Sequence, residues 1–351
     1  MNLPASSGGV SGPFGSALSS IHDSNDPYVA VRSLARATLA EANMIRPPFS
    51  AFLIADALGV AVRYEEMEDE GYCTTRGQLV QASFQRGKRQ VIAQGDKNAP
   101  VIVLRRIRTL DTAVHSRQQF TLAHELGHLV LRSLVSRHYP EYEFETDDRE
   151  EEAFCNAFAG ELLIPTALVL VDLRERGVSA ESLLELRRIY RVSLQCMLVK
   201  VGFLFADLLV IGIHTRNGRG LELSFATPCK NRHFFDAGGI LGLVERAIQG
   251  CRTQTETHEV LGDGSRSRWV VHSSPIHDGH RAMTLMVRRS LPPVLSDYFA
   301  PPSKDSGESA FCPLSDALAM WAKVGTVAWR KSPDGRRAPS WQRGRSQPPT
   351  P

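Results

Sequence analysis

Residues 120 to 131, Phe120-Thr121-Leu122-Ala123-His124-Glu125-Leu126-Gly127-His128-Leu129-Val130-Leu131, place two histidines four residues apart in a run with helical apolar spacing. Positions i and i+4 lie one above the other on a helix face, so His124 and His128 can offer both imidazoles to a single Zn²⁺. Glu125, beside them, is placed to take a proton from an attacking water and pass it to a leaving amine. That is the chemistry of a zinc peptidase. Without a metal, the same residues are two histidines on a core helix, so a third ligand decides between the readings.

A catalytic zinc keeps three protein ligands and one open position. The stretch from Glu150 to Pro165, Glu-Glu-Glu-Ala-Phe-Cys-Asn-Ala-Phe-Ala-Gly-Glu-Leu-Leu-Ile-Pro, has the carboxylates and helical periodicity for a second helix. Glu152 and Asn156 share a flank of its apolar stripe. Glu151 lies on the same broad side, whereas Glu150 faces away and reads as an acidic first turn that complements the helix dipole.

The run Phe120 to His128, followed by Glu152-Ala153-Phe154-Cys155-Asn156-Ala157-Phe158-Ala159 and Leu162-Leu163-Ile164-Pro165, resembles the ImmA/IrrE family of metallopeptidases. The resemblance implies His124, His128 and Glu152 as metal ligands, Glu125 as general base and Asn156 as a supporting partner. It implies a zincin-like fold with a small sheet beside the active-site helix. It also implies a protein substrate of the helix-turn-helix repressor type, cut to relieve repression of stress-response or mobile-element genes. Gln119 stands where the family usually has arginine, with Arg117 two residues earlier, and the ligand set is untouched.

A length of 351 residues is enough for about two or three domains, and 42% hydrophobic with 23% charged residues is ordinary globular composition. The formal charge is +3, but residues 331–351 hold five cationic side chains against one acid, a net +4, leaving −1 for residues 1–330. That balance argues against a broad nucleic-acid footprint outside the tail. The six cysteines are widely spaced and read as buried thiols in a reducing cytosol. With no membrane-length apolar run and no signal-peptide pattern, a cytoplasmic location is expected.

The chain reads as an α+β protein in five parts. Residues 1–25, rich in Ser, Gly and Pro, are expected to be a disordered leader. Residues 26–170 form the metallopeptidase domain, with helices at Asp26 to Arg46 and Ser50 to Leu58 and short strands near 60–64, 79–84, 89–93 and 100–104. Arg105 to Gln119 reads as a polar connection, and His115 in it as a surface residue. His138, Tyr139 and Tyr142 are candidates for stabilising an oxyanion.

Residues 171–207 form a helical segment with helix-turn-helix proportions. Its last helix, Leu194 to Leu204, offers only Gln195 and Lys200 to a nucleic acid, so packing or substrate docking is favoured over DNA binding. Residues 208–291 read as a small α/β domain whose position resembles a GAF-like regulatory module, with a small-molecule effector as its partner. The cluster His272, His277 and His280 lacks the carboxylate or cysteine of a second metal site. Residues 292–351 read as a largely disordered basic tail with a short helix around Leu314 to Val324.

The function that unites these features is a cytoplasmic endopeptidase using Zn²⁺, with Mn²⁺ as the alternative ion. The competing readings are a DNA-binding regulator with a structural zinc and an antitoxin-like partner-binding protein. Glu125 would be dispensable in both.

Overall fold

The computed structural model describes residues 12–299 apart from 68–69, 75–78, 83–90, 95–99, 108–111, 145–148, 207, 219, 229–234, 236–238, 263–264, 277–278, 290–297. Expectations for residues 1–11, the turn Arg86-Gly87-Lys88, His277 and residues 300–351 with their short helix lie outside the described residues. The chain divides into two compact units at Thr166/Ala167.

The first unit opens with helices α1 (Pro13–Ile21), α2 (Pro27–Glu41) and α3 (Ala51–Ala57). Asp26 starts α2 by accepting from Tyr28 N at 2.9 Å, and Pro27 supplies the first helical residue. Strands β1 (Ala61–Glu65), β2 (Gly71–Thr74), β3 (Leu79–Ala82), β4 (Val91–Gln94) and β5 (Val101–Arg105) follow. Their sheet has the order β1-β5-β2, with β1 parallel and β2 antiparallel to β5, while β3 and β4 pair with each other. Val101 to Leu104 are all buried, as a central strand's continuous apolar run requires. Helices α4 (Thr112–His138) and α5 (Arg149–Leu163) complete the unit.

Two expectations are corrected here. The leader is not disordered over residues 13–21, which form α1 with Phe14 and Leu18 fully buried. A nine-residue helix has too few internal bonds to stand alone, and its partners are remote. The Phe14 ring lies 6.0 to 6.1 Å from those of Tyr142, Phe144 and Phe154. Gly12 has no side chain to cap the helix, and the Glu150 carboxylate does so instead, accepting from Gly12 N at 2.8 Å and Gly15 N at 2.9 Å. Glu150 therefore serves another helix's N-terminus.

The second correction concerns Arg105 to Gln119, which is helical from Thr112 onward and carries an exposed His115. Its polar side chains serve neighbouring backbone. Gln118 donates to Arg105 O at 2.9 Å, and the Gln119 carboxamide oxygen accepts from Ala51 N, the first residue of α3, at 2.8 Å.

The second unit begins with α6 (Thr166–Arg176), α7 (Ala180–Ile189) and α8 (Leu194–Leu204), as the periodicity predicts. The capping box of α7, which lacks an acid or amide at its fourth position, is closed by Ser182: it donates N–H to Ser179 Oγ, and its own Oγ accepts from Ser179 N. Strands β6 (Leu209–Asn217), β7 (Gly220–Thr227), β8 (Gln254–Gly262), β9 (Ser265–Pro275) and β10 (Arg281–Arg288) form an antiparallel sheet in the order β7-β6-β10-β9-β8. Helix α9 (Ile240–Gly250) joins its core through Ile240, Leu243, Val244 and Ile248 against Val210, Trp269, Val271 and Met286. The edge strand β8 escapes sequence reading because Gln254-Thr255-Glu256-Thr257-His258-Glu259 shows no apolar alternation.

Among the described residues no single helix is long and apolar enough to cross a membrane. The four described cysteines are free; Cys155 is buried as expected, Cys73 and Cys196 are half-buried, and Cys251 is exposed.

Candidate metal centre

The site forms where α5 crosses α4. Gly127 permits the close approach: a Cβ there would stand 3.2 Å from Cys155 Cα and 3.3 Å from the Phe158 ring. A glycine inside a helix costs roughly 0.5–1 kcal/mol relative to alanine, and here it lets the first turns of α5 reach the two histidines.

His124 and His128 stack edge to face, with ring centroids 4.9 Å apart. The Nδ1 of His128 donates to Glu151 Oε1 at 2.6 Å, because a carboxylate can only accept. The Nδ1 of His124 donates to Asn156 Oδ1 at 3.2 Å. In the neutral rings, with hydrogen on both Nδ1 atoms, both Nε2 atoms present lone pairs, and these face each other at 3.2 Å. The Glu152 carboxylate meets them at 3.2 Å from His124 and 3.1 Å from His128.

Three electron-rich atoms facing one another call for a cation among them. With bonds of about 2.0–2.1 Å, ligands at the corners of a tetrahedron stand roughly 3.3–3.4 Å apart, so His124, His128 and Glu152 fit a tetrahedral ion such as Zn²⁺. Glu152 is about half exposed, which leaves that side open to water or a substrate.

The surroundings are charged accordingly. A proton shared at the Nε2 atoms in place of an ion, donated from the His124 and His128 rings, holds the Glu152 carboxyl far below the usual carboxylate range. Burial works against the charged form of His128, but its bonds to Cys155, Glu151 and Glu152 outweigh that and raise its pKa. Burial also raises the Glu125 carboxyl, against the pull of the two histidines. Glu125 is only 8% exposed, and its partner is the Cys73 thiol from β2.

A second grouping, His128, Glu151 and Cys155, also brings three ligand types together. Its chemistry does not suit an ion. Arg132 already neutralises Glu151, with Nε–H donating to Oε1 at 2.6 Å and Nη2–H to Oε2 at 3.1 Å, and burial pushes the Cys155 thiol up to about 12.

The structure thus brings His124, His128, Glu152 and Asn156 together, with Glu125 alongside. Sequence reading gave no role to Glu151, Arg132, Cys73 or Cys155. Arg132 carries a usable signal, four residues beyond His128 on the same helix face. Of the oxyanion candidates, His138 has its Nδ1 bonded to Leu134 O at 3.0 Å, and Tyr142 packs on Phe14 and Phe144.

The model of the IrrE N-terminal-like domain, Peptidase_M78, matches residues 81–201, which contain every residue of this centre except Cys73. The Radiation response metalloprotease IrrE of Deinococcus radiodurans is 36% identical over 80 residues, 22% of this chain and 24% of that protein. The match thus spans about a quarter of the relative's length. A Mycobacterium tuberculosis transcriptional regulator of known structure aligns over 82% of this chain and 95% of its own, with a TM-score of 0.42 and 13% identity. Residues 81–201 thus match the IrrE N-terminal-like domain, and over part of its length the chain is a distant homologue of the IrrE metalloprotease.

Proposed function

We propose that this protein is a zinc-dependent endopeptidase of zincin-like fold. The observation that carries the reading is the convergence of His124 Nε2, His128 Nε2 and the Glu152 carboxylate beside the buried Glu125. When bound, the ion would supply Lewis-acid polarisation of the scissile carbonyl and acidify water. His124, His128 and Glu152 would hold it. Glu125 takes the proton of the attacking water and delivers it to the leaving nitrogen. Burial keeps the carboxylate out of competing hydrogen bonds with solvent, and the Cys73 S–H fixes one of its oxygens. Strand β2 ends the sheet of which β5 is the centre, so an extended peptide could add to it by main-chain pairing next to Glu125.

The family resemblance supports a helix-turn-helix repressor as substrate, a stress-response setting and a cytoplasmic location. The second unit fits a regulatory role with a small-molecule effector, in the manner of a GAF-like module. Helix α8 presents Gln195 and the apolar Phe203 to solvent, a poor face for reading base edges, so transcription is affected through proteolysis and not through DNA contact.

The test is a cleavage assay on helix-turn-helix repressors encoded near this gene, with and without added Zn²⁺. Wild type is expected to cut one of them, and Glu125→Gln to lose roughly 10²-fold or more of that activity while still binding zinc. Equal cutting by both forms, or none by a zinc-loaded wild type, would hand the site to the regulator or partner-binding reading.

A further inference from the structure

The first turn of α5 carries three consecutive carboxylates, and each has a separate partner. Glu150 caps α1, Glu152 faces the two Nε2 atoms, and Glu151 lies between, 2% exposed, bonded to His128 Nδ1 on one side and Arg132 on the other. The outer partners of the two histidines are unlike. His124 has a neutral amide at 3.2 Å, whereas His128 has a carboxylate at 2.6 Å that is itself gripped by a two-pronged guanidinium. That guanidinium lies over the Phe144 ring, 5.4 Å from its centroid.

We propose that Glu151 and Arg132 are positioning residues for the metal centre. Glu151 fixes the tautomer and ring angle of His128 and increases the basicity of its Nε2. Arg132 holds both oxygens of Glu151 in place, and Phe144 lies against the guanidinium. An arginine suits the task because its rigid fork meets both carboxylate oxygens, which an ammonium cannot do. The proposal rests on the metal-centre reading, and it predicts a gradient: His128 is the more rigidly held ligand and His124 the more adjustable one.

The test measures Zn²⁺ affinity of the full chain by chelator competition and the visible spectrum of its Co²⁺ form, using protein shown to be folded by circular dichroism. Wild type is expected to bind one ion, and Glu152→Ala to lose it. Glu151→Ala and Arg132→Met should weaken Zn²⁺ binding roughly 10- to 100-fold and shift the Co²⁺ bands, and Glu151→Gln should fall between. Arg132→Lys should recover part of the affinity but not the wild-type spectrum. Arg36→Met is the structural control, because it breaks another arginine–glutamate pair, Arg36 Nε to Glu161 Oε1 at 2.9 Å, whose glutamate also lies on α5. Equal losses in Arg36→Met and Arg132→Met would overturn positioning in favour of general support of α5. Unchanged affinity and spectrum in Glu151→Ala would overturn it while leaving the centre intact. A wild type that binds no ion would overturn the centre and the proposal together.

Discussion

His128 in the first unit and His214 in the second are both buried imidazoles, and their surroundings give them opposite characters. His128 is held by Glu151, lies against Glu152 and faces a second imidazole, so a positive charge is welcome there. His214, on β6 with no exposure at all, meets the Thr284 hydroxyl at 3.3 Å and lies edge to face with the Phe235 ring, centroids 5.4 Å apart. Its Nε2 has no partner among the described residues, and burial alone pushes its pKa down to about 4. Depth of burial does not decide what a histidine does. The count of carboxylates within hydrogen-bonding reach does.

That contrast can be broken or sharpened by experiment. The largest effect is expected from His128→Gln, which should abolish stoichiometric Zn²⁺ binding and lower peptide hydrolysis by orders of magnitude. His214→Gln should change Zn²⁺ affinity by no more than about twofold, since that site holds no anionic partner. An equal loss in both variants would erase the distinction.

Acidification should find His214 next. Because its folded-state pKa is depressed to about 4, the unfolded chain takes up a proton that the folded chain refuses, between the ordinary value near 6.5 and that figure. Its contribution to stability is complete above about pH 6.5, falls as the pH drops through the window, and is gone below about pH 4. At pH 5 the loss is on the order of 2 kcal/mol. Urea unfolding at pH 7 and pH 5 should show that difference in wild type and not in His214→Leu. Identical slopes in the two proteins would remove His214 as the cause.

The smallest effect is expected from Thr284→Val. It removes the hydroxyl that stands 3.3 Å from both His214 Nδ1 and Ser273 Oγ, for about 1 kcal/mol measured as a urea midpoint at pH 7. A neutral outcome would mean that the three side chains do not act as a hydrogen-bonded chain.

The two regions also differed in how much of them could be read beforehand. His124 and His128 were legible because helix geometry converts a spacing of four into one face, whereas Glu152 was singled out from Glu150 and Glu151 by the family resemblance. Glu151 was passed over because its importance depends on Arg132, a residue of another helix, and contacts between helices leave no periodicity behind. Helix α8 followed from apolar spacing with the bounds expected, Leu194 to Leu204. Strand β8 did not, since an edge strand with polar side chains is held mainly by backbone bonds, which every residue can make. The polar start of α4 was hidden for a related reason: Gln118 and Gln119 satisfy neighbouring backbone groups instead of building an apolar stripe.

The capping of α1 by Glu150 has a consequence for how the chain is made. The backbone groups at Gly12 and Gly15 wait for a carboxylate 138 and 135 residues further along. On a ribosome adding roughly 5–20 residues per second, α1 spends many seconds without its cap or the aromatic rings that bury Phe14. Helix α1 is therefore among the last parts of the first unit to settle. It closes when the turn bearing Glu150, Glu151 and Glu152 arrives, the same turn that completes the metal centre.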